Sequence, residues 1–150
     1  MNNRNRRYQC DSCRIGDYGP EPTVIDIENA TLKNKNYRTT LWTGKHLQST
    51  LMCIPVGSDI GLEMHENVDQ FIRIESGYAL VTMGRTSKSL CKKEKINSNY
   101  AVFIPAGTWH NIINIGNKPL KLYSIYAPPQ HPYGTVQRTK EDAQEWHSHY

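Results

Sequence analysis

The chain has no apolar run approaching the ~20 residues that a membrane-crossing helix needs. Behind the arginines of residues 1–14 there is no apolar core of the kind a secretory signal carries, so a cytoplasmic location is expected. There is no glycine-rich loop of the phosphate-cradling type. Cysteine is sparse, with four in 150 residues. Cys10 and Cys13 form a lone C-x-x-C, and no second pair accompanies it to complete a structural zinc site. The strand-to-helix setting of a thioredoxin motif is missing as well. Cys53, inside the apolar run Leu51–Ile54, reads as a core thiol. A reduced, intracellular chain is the simplest expectation.

What is present fits an ordinary globular domain. A length of 150 residues suffices to bury a core without disulfides, and 21% charged with 9% aromatic residues separates the chain from disordered material. The net charge is +4, but Arg4, Arg6, Arg7 and Arg14 against Asp11 place three of those charges in the first fourteen residues. The remainder is nearly neutral, which argues against nucleic acid as a partner. Residues 1–23 read as an irregular basic arm, residues 24–130 as the folded body, and residues 131–150 as a tail with a short helix. Thr139 is the expected cap of that helix, with acidic residues in the first turn and an end near His147. His147 and His149 resemble a metal pair but read better as a frayed terminus.

From residue 39 onward, strand signals dominate. Thr39–Thr43, Leu47–Pro55, Val68–Glu75, Tyr78–Met83, Tyr100–Ile104, Thr108–Ile115 and Leu120–Tyr126 are short β-branched or apolar runs bounded by Gly, Pro or Asn. Seven or eight such strands with no long helical period predict an all-β sandwich or barrel. The apolar alternation of Leu47–Ile54 suits either a core face or a contact between copies.

Two segments carry the chemistry. In the first, Glu63 and His65 are two apart, so on an extended chain both side chains leave one face. Gln70 and Gly77 follow. In the second, the turn Pro105-Ala106-Gly107 precedes His110 and Asn114. These segments resemble the paired signatures of the cupin superfamily, Gly-x5-His-x-His-x(3–4)-Glu-x6-Gly and Gly-x5-Pro-x-Gly-x2-His-x3-Asn. The second matches from Pro105 through His110 to Asn114, with Asn99 in place of its leading glycine. The first matches in spacing, with Glu63 at the first histidine and Gln70 at the glutamate. The resemblance covers residues 39–127 and implies a single-domain jelly-roll β-barrel. It also implies a divalent metal, such as Mn, Fe or Zn, on Glu63, His65, Gln70 and His110. A homodimer is the family expectation.

The substitutions alter the expected site. Two imidazoles, a carboxylate and an amide replace the pattern's three imidazoles and one carboxylate, keeping the anionic charge while losing a nitrogen donor. Glu63 can serve as ligand or as catalytic base, but not readily as both. Gln70, a weaker oxygen donor, binds the metal, acts through water or orients a substrate. Asp69 could replace it only if a bulge rotated the strand. Tyr78, Trp109, Tyr123 and Tyr126 are candidate pocket walls, and Asn114 a brace for the turn. Lys45, Arg73 and Arg85 have no evident relation to the pocket. The resemblance implies a metal-binding cupin acting on a polar small molecule, in the manner of sugar-phosphate isomerase-like members. An iron-dependent dioxygenase and a non-catalytic metabolite-binding protein are the alternatives.

Overall fold

The computed structural model describes residues 16–149, the stretch 146–149 for backbone alone. Cys10, Cys13 and the side chains of His147 and His149 therefore lie outside the described residues. Two antiparallel sheets make up the body. The larger contains β1 (Arg38–Thr43), β2 (Gln48–Ile54), β3 (Asp69–Ser76), β6 (Ala101–Ile104), β8 (Leu120–Ala127) and β9 (Val136–Gln137). Its order is β6-β3-β8-β2-β1-β9, and the smaller sheet pairs β5 (Lys92–Asn97), β4 (Tyr78–Gly84) and β7 (Trp109–Asn114) in the order β5-β4-β7. The expected jelly-roll architecture is present, although the two sheets do not close on each other by hydrogen bonds.

Both sheets feed one core. Met52, Ile54, Ile72, Ile74, Leu120 and Leu122 of the large sheet pack with Ala79, Val81, Ile96 and Ile112 of the small one. Period-2 alternation directs them there: in β3 the residues Gln70, Ile72 and Ile74 are buried while their neighbours are not. The alternation of β2 is used on both sides within this chain. Met52 and Ile54 face the main core, and Leu51 joins Leu41 and Tyr123 in a second cluster on the outer face of the sheet.

That outer cluster explains an element the sequence concealed. Helix α1 (Ile27–Lys33) precedes the first strand and lays Ile27 and Ala30 on the outer cluster. Asp26 caps it by accepting from the Asn29 amide at 3.0 Å. One turn and a half is too short for a helical period to stand out against the strands around it. Two strands were hidden for other reasons. The exposed Lys92–Asn97 buries only Ile96, and the two residues of β9 pair with β1 through Arg38 and Thr39. The segment before α1 has no regular structure but is held: Asp17 is buried and accepts from the Gly19 amide at 2.8 Å, while Tyr133 donates to its carbonyl at 2.9 Å. At the other end, helix α2 (Lys140–His149) runs past the expected stop, and its start is capped by Thr139, which accepts from the Asp142 amide at 3.2 Å.

Asn99 takes φ +76°, the left-handed conformation that suits glycine, so it fills its turn as the glycine of the signature would. Replacing Asn99 by Gly should leave stability within about 0.5 kcal/mol of the parent, whereas Asn99→Val should cost about 1–2 kcal/mol in urea unfolding, since a β-branched residue is strained there. Equal stability of the two variants would contradict the backbone requirement.

Candidate metal centre

Backbone pairing assembles the site. Residues 58–65 form no continuous strand but an extended segment that runs antiparallel beside β7 through isolated bridges. Ile60 donates to the Ile112 carbonyl at 3.0 Å, and Asn114 to that of Ser58 at 2.9 Å. Glu63 and His110 then exchange both hydrogen bonds, Glu63 N to His110 O at 3.0 Å and His110 N to Glu63 O at 2.9 Å. In the following turn Gly107, at φ +81°, donates to the His65 carbonyl at 2.8 Å. The positive φ is why a glycine is needed at this point of the Pro-x-Gly turn. Gly57, also at positive φ (+78°), lies six residues before Glu63, the offset of the first signature's leading glycine.

The result is a cluster of Glu63, His65 and His110 whose ligand atoms all lie within 4.8 Å of one another. Glu63 Oε1 is 3.5 Å from His65 Nε2 and 3.4 Å from His110 Nε2, and the two imidazole centroids are 5.5 Å apart. His110 is completely buried, and its Nδ1 lies 2.9 Å from the Thr108 carbonyl. A carbonyl only accepts, so Nδ1 carries hydrogen and donates to it. Nε2 is therefore the nitrogen turned to the cluster. Neither His110 Nε2 nor His65 Nε2 has a hydrogen-bond partner among the described residues, although both are buried. Lone pairs of two imidazoles and a carboxylate converging on one point repel one another unless a cation sits between them. A proton does this partially; a divalent ion does it for all three atoms at once. The donor set thus fits the metal that the sequence implied. Burial works against ionisation of Glu63, yet the two histidines and the charge of Arg38 hold its carboxyl well below the usual carboxylate range.

Gln70 lies on the large sheet, beside Tyr126. It is buried on β3, opposite Tyr126 on β8, and the Tyr126 ring lies 6.0 Å from that of His65. The Gln70 amide nitrogen donates to Ser124 Oγ at 3.4 Å, and its carbonyl oxygen has no hydrogen-bond partner among the described residues. Asp69 faces outward and accepts from the Ala106 amide at 2.8 Å, bracing the Pro-x-Gly turn rather than serving the cluster. Asn114 braces too, donating to the carbonyls of Ile54 at 3.0 Å and Lys118 at 2.9 Å. Of the aromatic candidates only Tyr126 has a ring contact with the cluster among the described residues; Tyr123 belongs to the outer cluster and Tyr78 is exposed.

Beside the cluster opens a cavity of about 360 Å³, a size suited to a small molecule. Glu63 and His65 line one side; Tyr37, Arg38, Lys140 and Gln144 line others. Neither Arg38 nor Lys140 stood out in the sequence, and Lys45, Arg73 and Arg85 are absent from this lining. The available signal was an arginine in the inward alternation of β1, a rare placement for a charged group. Lys140 reaches the cavity from α2 and forms a short ion pair with Asp59 Oδ1, while Asn111 donates to Asp59 Oδ2 at 2.9 Å.

Two antiparallel sheets of jelly-roll type with a His₂Glu cluster beside a cavity define the class of fold. The Cupin domain family matches residues 50–126, and the chain belongs to the cupin family. It is 55% identical over 136 residues to YrkC of Bacillus subtilis, covering 91% of this chain and 73% of that protein. It is 41% identical over 114 residues to L612 of Acanthamoeba polyphaga mimivirus, covering 75% and 69% respectively. The crystal structure of BH2720 from Bacillus halodurans superposes with a TM-score of 0.87 at 56% identity, covering 87% of this chain and 99% of that one.

Despite the cost of burial, hydrogen bonds from Asn111 and Lys140 and the charge of Lys140 hold the Asp59 carboxyl below its ordinary value. A depressed carboxyl stabilises the fold above its unfolded pKa of about 4, and that contribution fades as pH falls through the lower folded value. Lys140→Met should therefore be less stable than the parent by about 1 kcal/mol at pH 7, with the gap closing below about pH 4. Thermal unfolding followed from pH 7 to pH 2 checks this; a gap independent of pH would rule out the ion pair as its cause.

Proposed function

We propose that Glu63, His65 and His110 hold a divalent transition metal, and that the protein acts on a polar small molecule in the adjoining cavity. The observation that carries this is the convergence of two unpartnered Nε2 atoms on one carboxylate oxygen, at 3.4 and 3.5 Å. Three protein ligands leave coordination positions open, and a metal so held supplies Lewis-acid polarisation of a bound oxygen or, as iron, a site for oxygen chemistry. The rest of the site orients and encloses. Thr108 fixes the His110 tautomer, and Tyr37 donates to the Asp59 carbonyl at 2.9 Å at the cavity wall.

The geometry weighs the reaction classes differently from the sequence. In the ligand role Glu63 is not free to shuttle a proton, and among the described residues no other carboxylate lines the cavity. A sugar-isomerase-like reaction then lacks its base. Two histidines and one carboxylate with open positions are the donor set of non-haem iron oxygenases, which favours the iron-dependent dioxygenase reading. A non-catalytic metabolite-binding cupin uses the same cavity without turnover.

Elemental analysis of the purified, untagged protein tests the metal reading. Near-stoichiometric metal is expected in the parent, with a fall of about tenfold or more in His110→Ala and retention in Gln70→Leu, because the trio carries ligation. Oxygen uptake that depends on iron would support the dioxygenase class; zinc or manganese without uptake would count against it. No metal after anaerobic reconstitution with Mn(II), Fe(II) and Zn(II) would overturn the proposal.

A further inference from the structure

Arg38 opens β1 in the inward register, opposite Met52 on β2 and Gln137 on β9. It is 3% exposed, yet it makes no ion pair among the described residues. One terminal nitrogen, Nη1, donates to Gln137 Oε1 at 2.8 Å. Among the described residues the other, Nη2, meets the weak acceptor Met52 Sδ at 3.8 Å, and the buried Nε has no hydrogen-bond partner. The edge formed by Nε and Nη2 is thus unclaimed by any oxygen, and that edge is the fork with which arginine grips a planar carboxylate through two parallel hydrogen bonds. A buried guanidinium with an unfilled hydrogen-bonding edge is costly; the Glu63 carboxylate offsets its charge, but no oxygen of the described residues occupies that edge.

The surroundings of the cavity point the same way. Arg38 shares its lining with Glu63 and His65, so a single small ligand in the cavity faces both. The Lys140 charge is already answered by Asp59. With a divalent ion on the trio, Glu63 cancels one of its charges and Arg38 adds another, leaving two net positive charges around the cavity. A neutral sugar would leave these unmatched. Tyr37, Ile60, Leu62 and Met64 complete a partly apolar lining that fits a short carbon skeleton better than a phosphate, which calls for several converging N–H donors.

We propose that the cavity binds a small carboxylate, its carboxyl group on the Nε–Nη2 edge of Arg38 and its far oxygen directed to the Glu63–His65–His110 centre. The second anchor rests on the metal reading given above; the first does not. Arg38 is a specificity-determining residue in this scheme, and Gln137 positions it through Nη1.

Calorimetric titration tests the anchor. The probes are malonate, its neutral counterpart malonamide and inorganic phosphate, each added to Mn(II)-loaded and to metal-free protein, with metal content measured on every sample. Malonate should bind the loaded parent at least about tenfold more tightly than malonamide or phosphate, and Arg38→Met should lose about tenfold or more in malonate affinity at unchanged metal content. Arg38→Lys, which keeps the charge without the fork, should fall between them. If neither variant folds, the metal-free parent decides: preference for malonate over malonamide should persist there, more weakly. That arm also separates the two readings, because it survives if the metal assignment fails. Equal malonate affinity in the parent and Arg38→Met would show binding through the metal alone and overturn the inference. So would tighter binding of phosphate, or no discrimination between malonate and malonamide in the metal-free protein.

Discussion

The reciprocal backbone pair between Glu63 and His110 is the constraint on which the site depends. Two hydrogen bonds of 3.0 and 2.9 Å set these residues opposite each other, and the bond from Gly107 to the His65 carbonyl fixes the next position along. Because alternation has a period of two, a slip of one residue would turn Glu63 and His65 together away from His110. The pairing needs no strand of its own; a few bridges suffice because β7 is held firmly by β4 on its other edge. The chemistry of the cluster is thus a consequence of register, and register is a property of backbone groups that no substitution at the ligands disturbs.

The inner face of the large sheet is divided along its strands, and the division separates stability from function. Reading β2 from its start, the inward residues are Gln48, Thr50, Met52 and Ile54; opposite them on β8 stand Tyr126, Ser124, Leu122 and Leu120. β3 continues the rows with Gln70, Ile72 and Ile74. One end is therefore apolar and closed, and supplies the burial that stabilises the fold. The other is polar, and holds Gln70 Oε1, a buried atom without a hydrogen-bond partner among the described residues, as His65 Nε2 and His110 Nε2 are in the ligand cluster. A folded chain tolerates few such atoms, and two of them here are the facing ring nitrogens of one cluster. The apolar end offsets their cost.

How much of this could be read from the sequence depended on whether the signal was local. The strands from β1 to β8 announced themselves by alternation, except Lys92–Asn97, whose charged residues hide a single inward Ile96. The ligand trio was legible because spacing and side-chain chemistry both lie within two short segments. Gln70 was legible as a position and not as a role, since its partners Tyr126 and Ser124 come from a strand more than fifty residues away. Arg38 and Lys140 were illegible for the same reason. Neither sits in a signature, and each acquires meaning only when β1, β9 and α2 are brought against the 58–65 segment.

That dependence gives the C-terminal helix a place in the argument. Lys140 binds Asp59, and Asp59 stands four residues before Glu63 in the segment whose pairing with β7 orients the ligands. The helix that supplies one wall of the cavity is therefore fastened to the support of the Glu63–His65–His110 cluster, while β9, just before it, pairs with β1 at Arg38. The tail thus touches both anchors of the cavity at once. The consequence is geometric: Arg38 on one side of the cavity and the Asp59–Glu63 segment on the other are each tied to the last fifteen residues as well as to the barrel.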